Sequence, residues 1–267
     1  MNLSTYTIEK KDSPIIALAL HDGHYINPEV LDLINLKEHE RFREEDPYTD
    51  YMADLSVSKV VVHTSRFLVD FNRSREKAIY KKPEDAWGLK VWKGQFPVFL
   101  EEGLLNYYSD FYEKVNVLIQ ETIEQFGYFV ILDIHSYNHR RESPEKAAPE
   151  KENPEINIGT ANNNSKWQPL IQRFMTALSQ CQINGKGPDV RENVVFKGGG
   201  FSEWVNANYQ DQGCVISIEF KKTFMDEWTG RASIEHIQDI REALLSTIPV
   251  LQDQLNTIKG NGYDEYS

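Results

Sequence analysis

Short apolar runs, rich in β-branched and aromatic residues, recur along the chain and predict buried strands. Four of them are Pro14–Leu20, Lys59–Thr64, Tyr128–Leu132 and Cys214–Phe220. Continuous runs of this length are typical of strands covered on both faces, as in a parallel or mixed sheet. Ile156–Thr160 predicts a short strand or turn, and Asn193–Phe196 predicts another short strand.

Between these runs, apolar residues return at the three- and four-residue spacing of helices. The clearest helix is predicted over Gly103–Gln125, and two more over Lys166–Cys181 and Ser233–Lys259. Asp46 followed by Pro47 is typical of a helix start, since Asp caps helices and Pro fits their first turn. Strands that alternate with helices predict a three-layer α/β fold, with a mostly parallel or mixed sheet and helices on both faces.

Two charged stretches lack both patterns. Ser74–Lys93 is irregular and predicts an excursion over the surface. Ser143–Asn153 is poor in apolar residues, so we expect a mobile loop there. Whether this loop closes over a substrate stays open.

Composition bounds the class of protein. The 267 residues suit one domain over 1–267, with a core that needs no disulfides. Asp and Glu outnumber Lys and Arg by 41 to 29, which argues against nucleic acids and anionic membranes as main partners. Two cysteines suit a reducing compartment, and no apolar run is typical of a signal peptide or a membrane span. We therefore expect a soluble, cytoplasmic protein whose oligomeric state stays open.

Ionisable residues stand at the ends of three predicted strands and at one predicted helix start. They are His21, Asp46, His135 and Glu219. The carboxyl ends of strands are where α/β proteins build their sites. Two imidazoles and one carboxylate can hold a catalytic zinc ion, and a further carboxylate, here Glu219, can act as general base. The spacing alone is not specific, because no HExxH motif is present.

Eight short motifs then occur in one order along most of the chain. They are His21–Gly23, Glu45–Pro47, Ser65–Arg73, Asp133–Ser136, Asn157–Thr160, Phe196–Gly200, Ile218–Glu219 and Phe224–Glu227. In this order they resemble the N-formylglutamate amidohydrolase family, whose fold is similar to that of zinc carboxypeptidases and aspartoacylase-type deacylases. Leu20 and Asp22 depart from the Pro-His-Ser/Thr-Gly of many members.

The resemblance implies a zinc-carboxypeptidase-like fold and a zinc ion bound by His21, Asp46 and His135, with Glu219 as general base. It implies a hydrolase of linear amides that converts N-formyl-L-glutamate to formate and glutamate, a reaction of histidine breakdown. Asp133, on the same strand face as His135, is expected to hold the histidine ring. A hydrogen bond within the sheet is the alternative for Asp133.

The resemblance also implies contacts to the substrate. Arg66, Asn72 and Arg73 are expected to bind its carboxylates, because guanidinium groups bind carboxylates through two parallel hydrogen bonds. Arg66 could instead polarise the scissile carbonyl. Residues 139–141 are expected near the mouth of the site, and salt bridges on the surface are the structural alternative for the arginines.

Several alternatives stay open at this point. His24 competes with His21, and Glu45 with Asp46, for the metal; Asp46 could be a helix cap only, and Glu219 could pair with the lysines that follow it. A zinc deacylase for another N-acyl amino acid, or a carboxypeptidase-like enzyme, is the first rival function. A binding protein without catalysis on the same fold is the second.

Overall fold

A seven-stranded mixed sheet forms the centre of the computed structural model, which describes residues 6–263. In chain order the strands are β1 (Tyr6–Glu9), β2 (Ile15–Ala19), β3 (Ser58–Val62), β4 (Phe129–Tyr137), β5 (Ile156–Gly159), β6 (Val190–Glu192) and β7 (Gly213–Lys221). Their order across the sheet is β1-β3-β2-β4-β7-β5-β6. Strands β3, β2, β4 and β7 are parallel, and β1 and β5 join them antiparallel. The parallel strands direct their carboxyl ends to one edge.

Helices cover both faces of the sheet and complete three layers. They are α1 (Pro28–Leu31), α2 (Glu38–Glu44), α3 (Thr49–Met52), α4 (Glu101–Phe126), α5 (Gln168–Ser179), α6 (Gly200–Tyr209) and α7 (Ile234–Tyr263). Helices α3, α5 and α7 pack with one set of buried strand residues, such as Leu132 and Ile216. Helices α4 and α6 pack with the alternate set, such as Ile131 and Val215. The predicted three-layer α/β fold is confirmed.

The helix predicted to start at Asp46 is wrong in its details. Helix α2 ends before this residue, and the short α3 begins only after Tyr48, whose φ is 71°. The side chain of Asp46 faces two histidines and caps no helix. Thr49 donates a hydrogen bond from its hydroxyl to the Asp46 carbonyl and stabilises the turn instead.

Two further predictions about local structure are wrong. Residues 193–196 are not a strand; the nearby strand is β6, and the backbone N–H groups of residues 194–196 point to the side chain of Asn157. The excursion at 74–93 is not purely a surface feature. Several of its apolar residues, among them Tyr80 and Trp92, are buried in a third hydrophobic cluster beside α4. Strand β1 and helix α6 were not predicted from the sequence.

Across residues 6–263, no helix combines the length and the apolar character needed to cross a membrane.

Candidate active site

Three neighbouring parallel strands bring the predicted chemistry to one edge of the sheet. His21 follows shortly after β2, His135 lies near the carboxyl end of β4, and Glu219 lies near the carboxyl end of β7. His135 and Glu219 are partners in the register of these two strands. Asp46 joins them from the α2–α3 connection, because its backbone N–H donates to the His21 carbonyl at 2.8 Å.

His21, Asp46 and His135 form a buried group whose potential ligand atoms all lie within 4.8 Å of one another. Asp46 Oδ2 lies 3.4 Å from His21 Nδ1 and 3.1 Å from His135 Nδ1. Tetrahedral zinc with bonds of about 2.0–2.2 Å places its ligand atoms roughly 3.4 Å apart. The spacing of the three side chains therefore fits one zinc ion.

The hydrogen bonding and charge of the group fit a cation as well. His21 Nδ1 is buried and has no hydrogen-bond partner within the described part of the chain. Burial alone would raise the pKa of Asp46, but the imidazoles of His135 and His21 outweigh it and hold that pKa well below its usual range. Asp70 and Asp133 are fully buried nearby. Among the carboxylates of residues 6–263, Arg66 pairs only with Asp70. The other two buried carboxylates, Asp46 and Asp133, therefore favour a further positive charge between the histidines.

Each candidate histidine ligand has a carboxylate on its other nitrogen. His21 Nε2 is hydrogen-bonded to Asp70 Oδ1 at 2.7 Å. Asp133 Oδ1 makes an ion-pair contact with His135 Nε2 at 2.9 Å, while Asp133 Oδ2 accepts a hydrogen bond from Ser217 on the neighbouring strand at 3.2 Å. Such partners fix the tautomer and the orientation of metal-binding imidazoles and raise their basicity. Both rings are thus held with Nδ1 towards Asp46. The carboxylate at Asp133 was expected from the sequence, and the one at Asp70 was not.

Asp70 is the centre of a larger buried network. Arg66 donates to it at 2.8 Å, and the hydroxyl of Tyr80 donates a short hydrogen bond. Burial would raise the pKa of Asp70, but Arg66 and His21 outweigh it and hold that pKa well below the usual range. Arg73 Nε lies 3.7 Å from the same carboxylate. Asp70 therefore stays negative and orients the His21 ring.

We expect Asp70→Asn to weaken zinc binding by about 10–100-fold, the usual effect of removing a hydrogen-bond partner from a metal ligand. The amide removes the negative charge that faces His21 and Arg66. Zinc affinity is measured by competition with a chromogenic chelator. Asp253→Asn, at an exposed position on α7, makes the same change of charge and is the control. Equal zinc affinity in both variants would exclude this role of Asp70.

Glu219 lines a cavity of about 150 Å³ beside the histidines. Burial raises the pKa of its carboxyl to about 8, although the charge of His135 opposes this shift. Neither of the lysines that follow it is its partner in the described residues. Lys221 Nζ donates to the Asn153 carbonyl at 2.9 Å, and Lys222 Nζ donates to the carbonyls of Arg43 and Glu45 at 2.6 and 2.7 Å. The Glu219 carboxyl is thus available to the cavity.

The residues predicted as metal ligands, general base or substrate contacts all line this cavity except Arg73. The guanidinium of Arg73 instead lies over the Tyr80 ring, 4.6 Å from its centroid. Of residues 139–141, expected near the mouth, only Arg141 lines the cavity. Asn72 Nδ2 lies 3.3 Å from His135 Nε2, and Asn72 Oδ1 accepts a hydrogen bond from the Phe201 N–H. Gly199 packs against this amide so closely that a Cβ would lie 2.3 Å from Asn72 Oδ1.

The two alternative metal ligands, His24 and Glu45, contact each other rather than the metal-binding group. His24 Nδ1 lies 2.6 Å from a carboxylate oxygen of Glu45, and Ser65 donates to the other oxygen. The structure thus directs Asp46, and not Glu45, towards the imidazoles. Arg141 lines the mouth of the cavity and pairs with Glu44 at 3.1 Å.

No role in shaping this cavity was predicted for Lys222 and Trp87, which line it. Lys222 is buried, and its ammonium group donates to the carbonyls of Arg43 and Glu45, which precede Asp46. These hydrogen bonds explain why a lysine is buried here. Trp87 covers the arginines at the mouth, with the Arg66 guanidinium 4.9 Å from its ring centroid. Neither residue belongs to a motif, so no signal in the sequence pointed to them; Asp70, in contrast, lies within the motif Ser65–Arg73.

Fold and site together define an α/β protein with a candidate metal centre at the carboxyl edge of its sheet. A family model described as N-formylglutamate amidohydrolase matches residues 13–225. The chain belongs to this family of amidohydrolases, and the resemblance inferred from the motifs is confirmed. A search of curated proteins gives no significant match.

Solved structures support the fold. An N-formylglutamate amidohydrolase from Ralstonia eutropha superposes with a TM-score of 0.75 at 14% identity, over 93% of this chain and 98% of that one. A gene product of Agrobacterium tumefaciens superposes with a TM-score of 0.64 at 19% identity, over 92% and 96% of the two chains. At these identities the similarity establishes a common fold across nearly the whole length.

Proposed function

We propose that this protein is a zinc-dependent amidohydrolase that cleaves the amide of an N-acyl amino acid. N-formyl-L-glutamate, which would give formate and glutamate, is the substrate that the family name favours. The observation that carries the proposal is the convergence of His21, Asp46 and His135 beside Glu219 in one cavity. We propose a cytoplasmic enzyme, whose place in histidine degradation depends on the formyl substrate.

The metal would be held by the two Nδ1 atoms and one oxygen of Asp46. When bound, zinc supplies Lewis-acid chemistry, which polarises the amide carbonyl and makes water a stronger acid. Asp70 and Asp133 keep the two imidazoles in the orientation that this binding requires. Ser136 adds a hydrogen bond to Asp46 at 3.2 Å and restrains its carboxylate.

Glu219 is the group that moves the proton in this proposal. Burial raises the pKa of this carboxyl to about 8 without a metal ion, and the charge of bound zinc would lower it towards neutral pH. A pKa near the working pH suits a group that both accepts and returns a proton. Glu219 takes a proton from the attacking water and delivers it to the departing nitrogen. Water is thereby added across the amide C–N bond, which leaves a carboxylate and a free amine.

Arg66 and Asn72 are the donors available to the charged parts of the substrate. Arg66 is tied to Asp70 on one side and lines the cavity on the other. Its guanidinium could bind a carboxylate or stabilise the negative oxygen that develops on the scissile carbonyl. Direct binding by Arg73 would require its guanidinium to turn away from Asp70 and Tyr80.

The test is turnover with and without the metal. Protein loaded with equimolar zinc should release formate from N-formyl-L-glutamate with a kcat in the ordinary range of ~1–10³ s⁻¹. Chelation should abolish the release, and added zinc should restore it. N-acetyl-L-glutamate and a dipeptide distinguish the rival deacylase and carboxypeptidase activities. No hydrolysis of any linear amide by the zinc-loaded protein would contradict the proposal and favour a binding protein.

A further inference from the structure

A second cavity, of about 300 Å³, adjoins the cavity at the candidate metal centre. The two share four wall residues, Tyr137, Asn138, Arg141 and Phe196. The second cavity is thus larger than the first and lies directly beside it. A formyl group carries only a hydrogen beyond its carbonyl carbon. The acyl group of N-formylglutamate is therefore too small to occupy the second cavity.

One wall of the second cavity is apolar, and hydrogen bonds with Asn157 support its backbone. This wall is the segment Val194–Phe196. Val195 and Phe196 line the cavity, and their side chains are 37% and 38% exposed. Asn157 Oδ1 accepts hydrogen bonds from all three backbone N–H groups, at 3.0, 2.8 and 3.4 Å, and Asn157 Nδ2 donates to the Phe196 carbonyl. Large apolar side chains that are held in place and remain exposed mark a surface suited to an apolar ligand.

The opposite wall comes from the loop predicted to be mobile. Ala147, Ala148 and Pro149 line the cavity. The Ala148 N–H donates to the His139 carbonyl at 2.6 Å, and Asn153 donates to the Pro149 carbonyl at 2.9 Å. Arg191 donates to the next two carbonyls of the loop at 2.6 and 2.5 Å. Small apolar residues of this loop therefore line the cavity beside polar ones such as Glu142 and Lys146, and the loop backbone is hydrogen-bonded at several points.

The order of the strands shows on which side of the candidate metal centre the second cavity lies. Arg66 and Asn72 follow β3, on one side of the histidines, whereas the Val194–Phe196 wall rests on β5, on the other side beyond Glu219. If the carboxylates of the amino acid lie at the β3 side, the acyl group beyond the scissile carbonyl extends towards β5. There it reaches the second cavity.

We propose that this second cavity is an acyl-binding site and that the preferred substrates are N-acyl amino acids with a medium-length aliphatic acyl chain. The inference rests on the proposed amide hydrolysis and, within the N-acyl amino acids, replaces formyl by a longer acyl group as the preferred one. Water adds across the C–N bond and releases the fatty carboxylate and the amino acid. Each methylene that the cavity buries should raise kcat/KM roughly fourfold.

A series of N-acyl-L-glutamates tests this directly. Zinc-loaded protein is assayed with formyl, acetyl, butanoyl and hexanoyl derivatives, and free glutamate is measured. We expect kcat/KM to rise along the series by roughly fourfold for each added methylene. A kcat/KM that is highest for the formyl compound, or flat along the series, overturns the acyl-binding site and leaves the proposed hydrolase intact.

A variant that fills the cavity supplies the matched test. Ala148→Phe should lower the ratio of hexanoyl to formyl kcat/KM by about tenfold, the effect of obstructing a small apolar pocket. Ala207→Phe, at an exposed position on α6, makes the same change in a remote groove and should leave the ratio unchanged. Equal ratios in the two variants would overturn the inference.

Binding measured without turnover tests the acyl-binding site independently of the proposed hydrolase activity. Zinc-loaded Glu219→Gln is titrated by calorimetry with N-formyl- and N-hexanoyl-L-glutamate. We expect tighter binding of the hexanoyl compound and a more negative heat-capacity change, the mark of apolar burial. This outcome supports the acyl site even if no compound is hydrolysed, and equal affinities overturn it.

Discussion

Replacing Glu219 with glutamine should lower kcat by roughly 10²–10⁴-fold, the usual contribution of a positioned general acid–base. Glutamine keeps the size and polarity of the side chain but cannot accept the proton of the attacking water. The zinc content should not fall, because Glu219 is not among the three residues that form the metal-binding group. Turnover of N-formyl-L-glutamate and zinc stoichiometry are measured on the same preparation.

Glu124→Gln is the matched control for this variant. Glu124 is exposed on α4, on the face of the sheet away from α5 and α7, and its replacement removes the same charge. It should leave kcat unchanged. Near-normal turnover in Glu219→Gln would remove this carboxyl from the mechanism, and loss of zinc would instead identify it as a ligand.

Replacing His135 with alanine should abolish stoichiometric zinc binding. The loss of affinity should exceed the about 10–100-fold expected for Asp70→Asn, since a ligand itself is removed rather than its partner. Activity should disappear with the metal. Zinc is measured by elemental analysis after dialysis, and thermal melting shows whether the variant is folded.

His39→Ala is the control, because His39 is exposed on α2 and lies outside the metal-binding group. It should keep zinc and activity. The His135 variant should also lose the rise in melting temperature that zinc produces in the parent protein, since a ligand that binds only the folded state stabilises it. A folded His135→Ala protein that retains zinc would refute the proposed ligand set.

The main strands and helices could be read from the sequence because the signals that predict them are local. The predicted helix Gly103–Gln125 corresponds to α4, and the apolar runs correspond to β2, β3, β4 and β7 within a few residues. Apolar residues at a period of 3.6 indicate an amphipathic helix, and a short unbroken run rich in β-branched residues favours a buried strand. No partner elsewhere in the chain is needed for this inference.

Local signals failed where a distant side chain decides the conformation. Residues 193–196 have the composition of a strand, but Asn157 accepts the hydrogen bonds that a neighbouring strand would otherwise accept. Asp46 before Pro47 has the pattern of a helix cap. It is drawn instead to His21 and His135, which come from strands far away in the chain.

The sequence by itself determined the layered fold, the family and the residue types available for a metal centre, since these depend on local periodicity and on motifs of neighbouring residues. Only the tertiary structure decided that Asp46 rather than Glu45 faces the histidines and that Asp70 lies behind His21. It also placed a second cavity beside the site. These features depend on distances between side chains that are tens of residues apart, and only the packing of the sheet determines those distances.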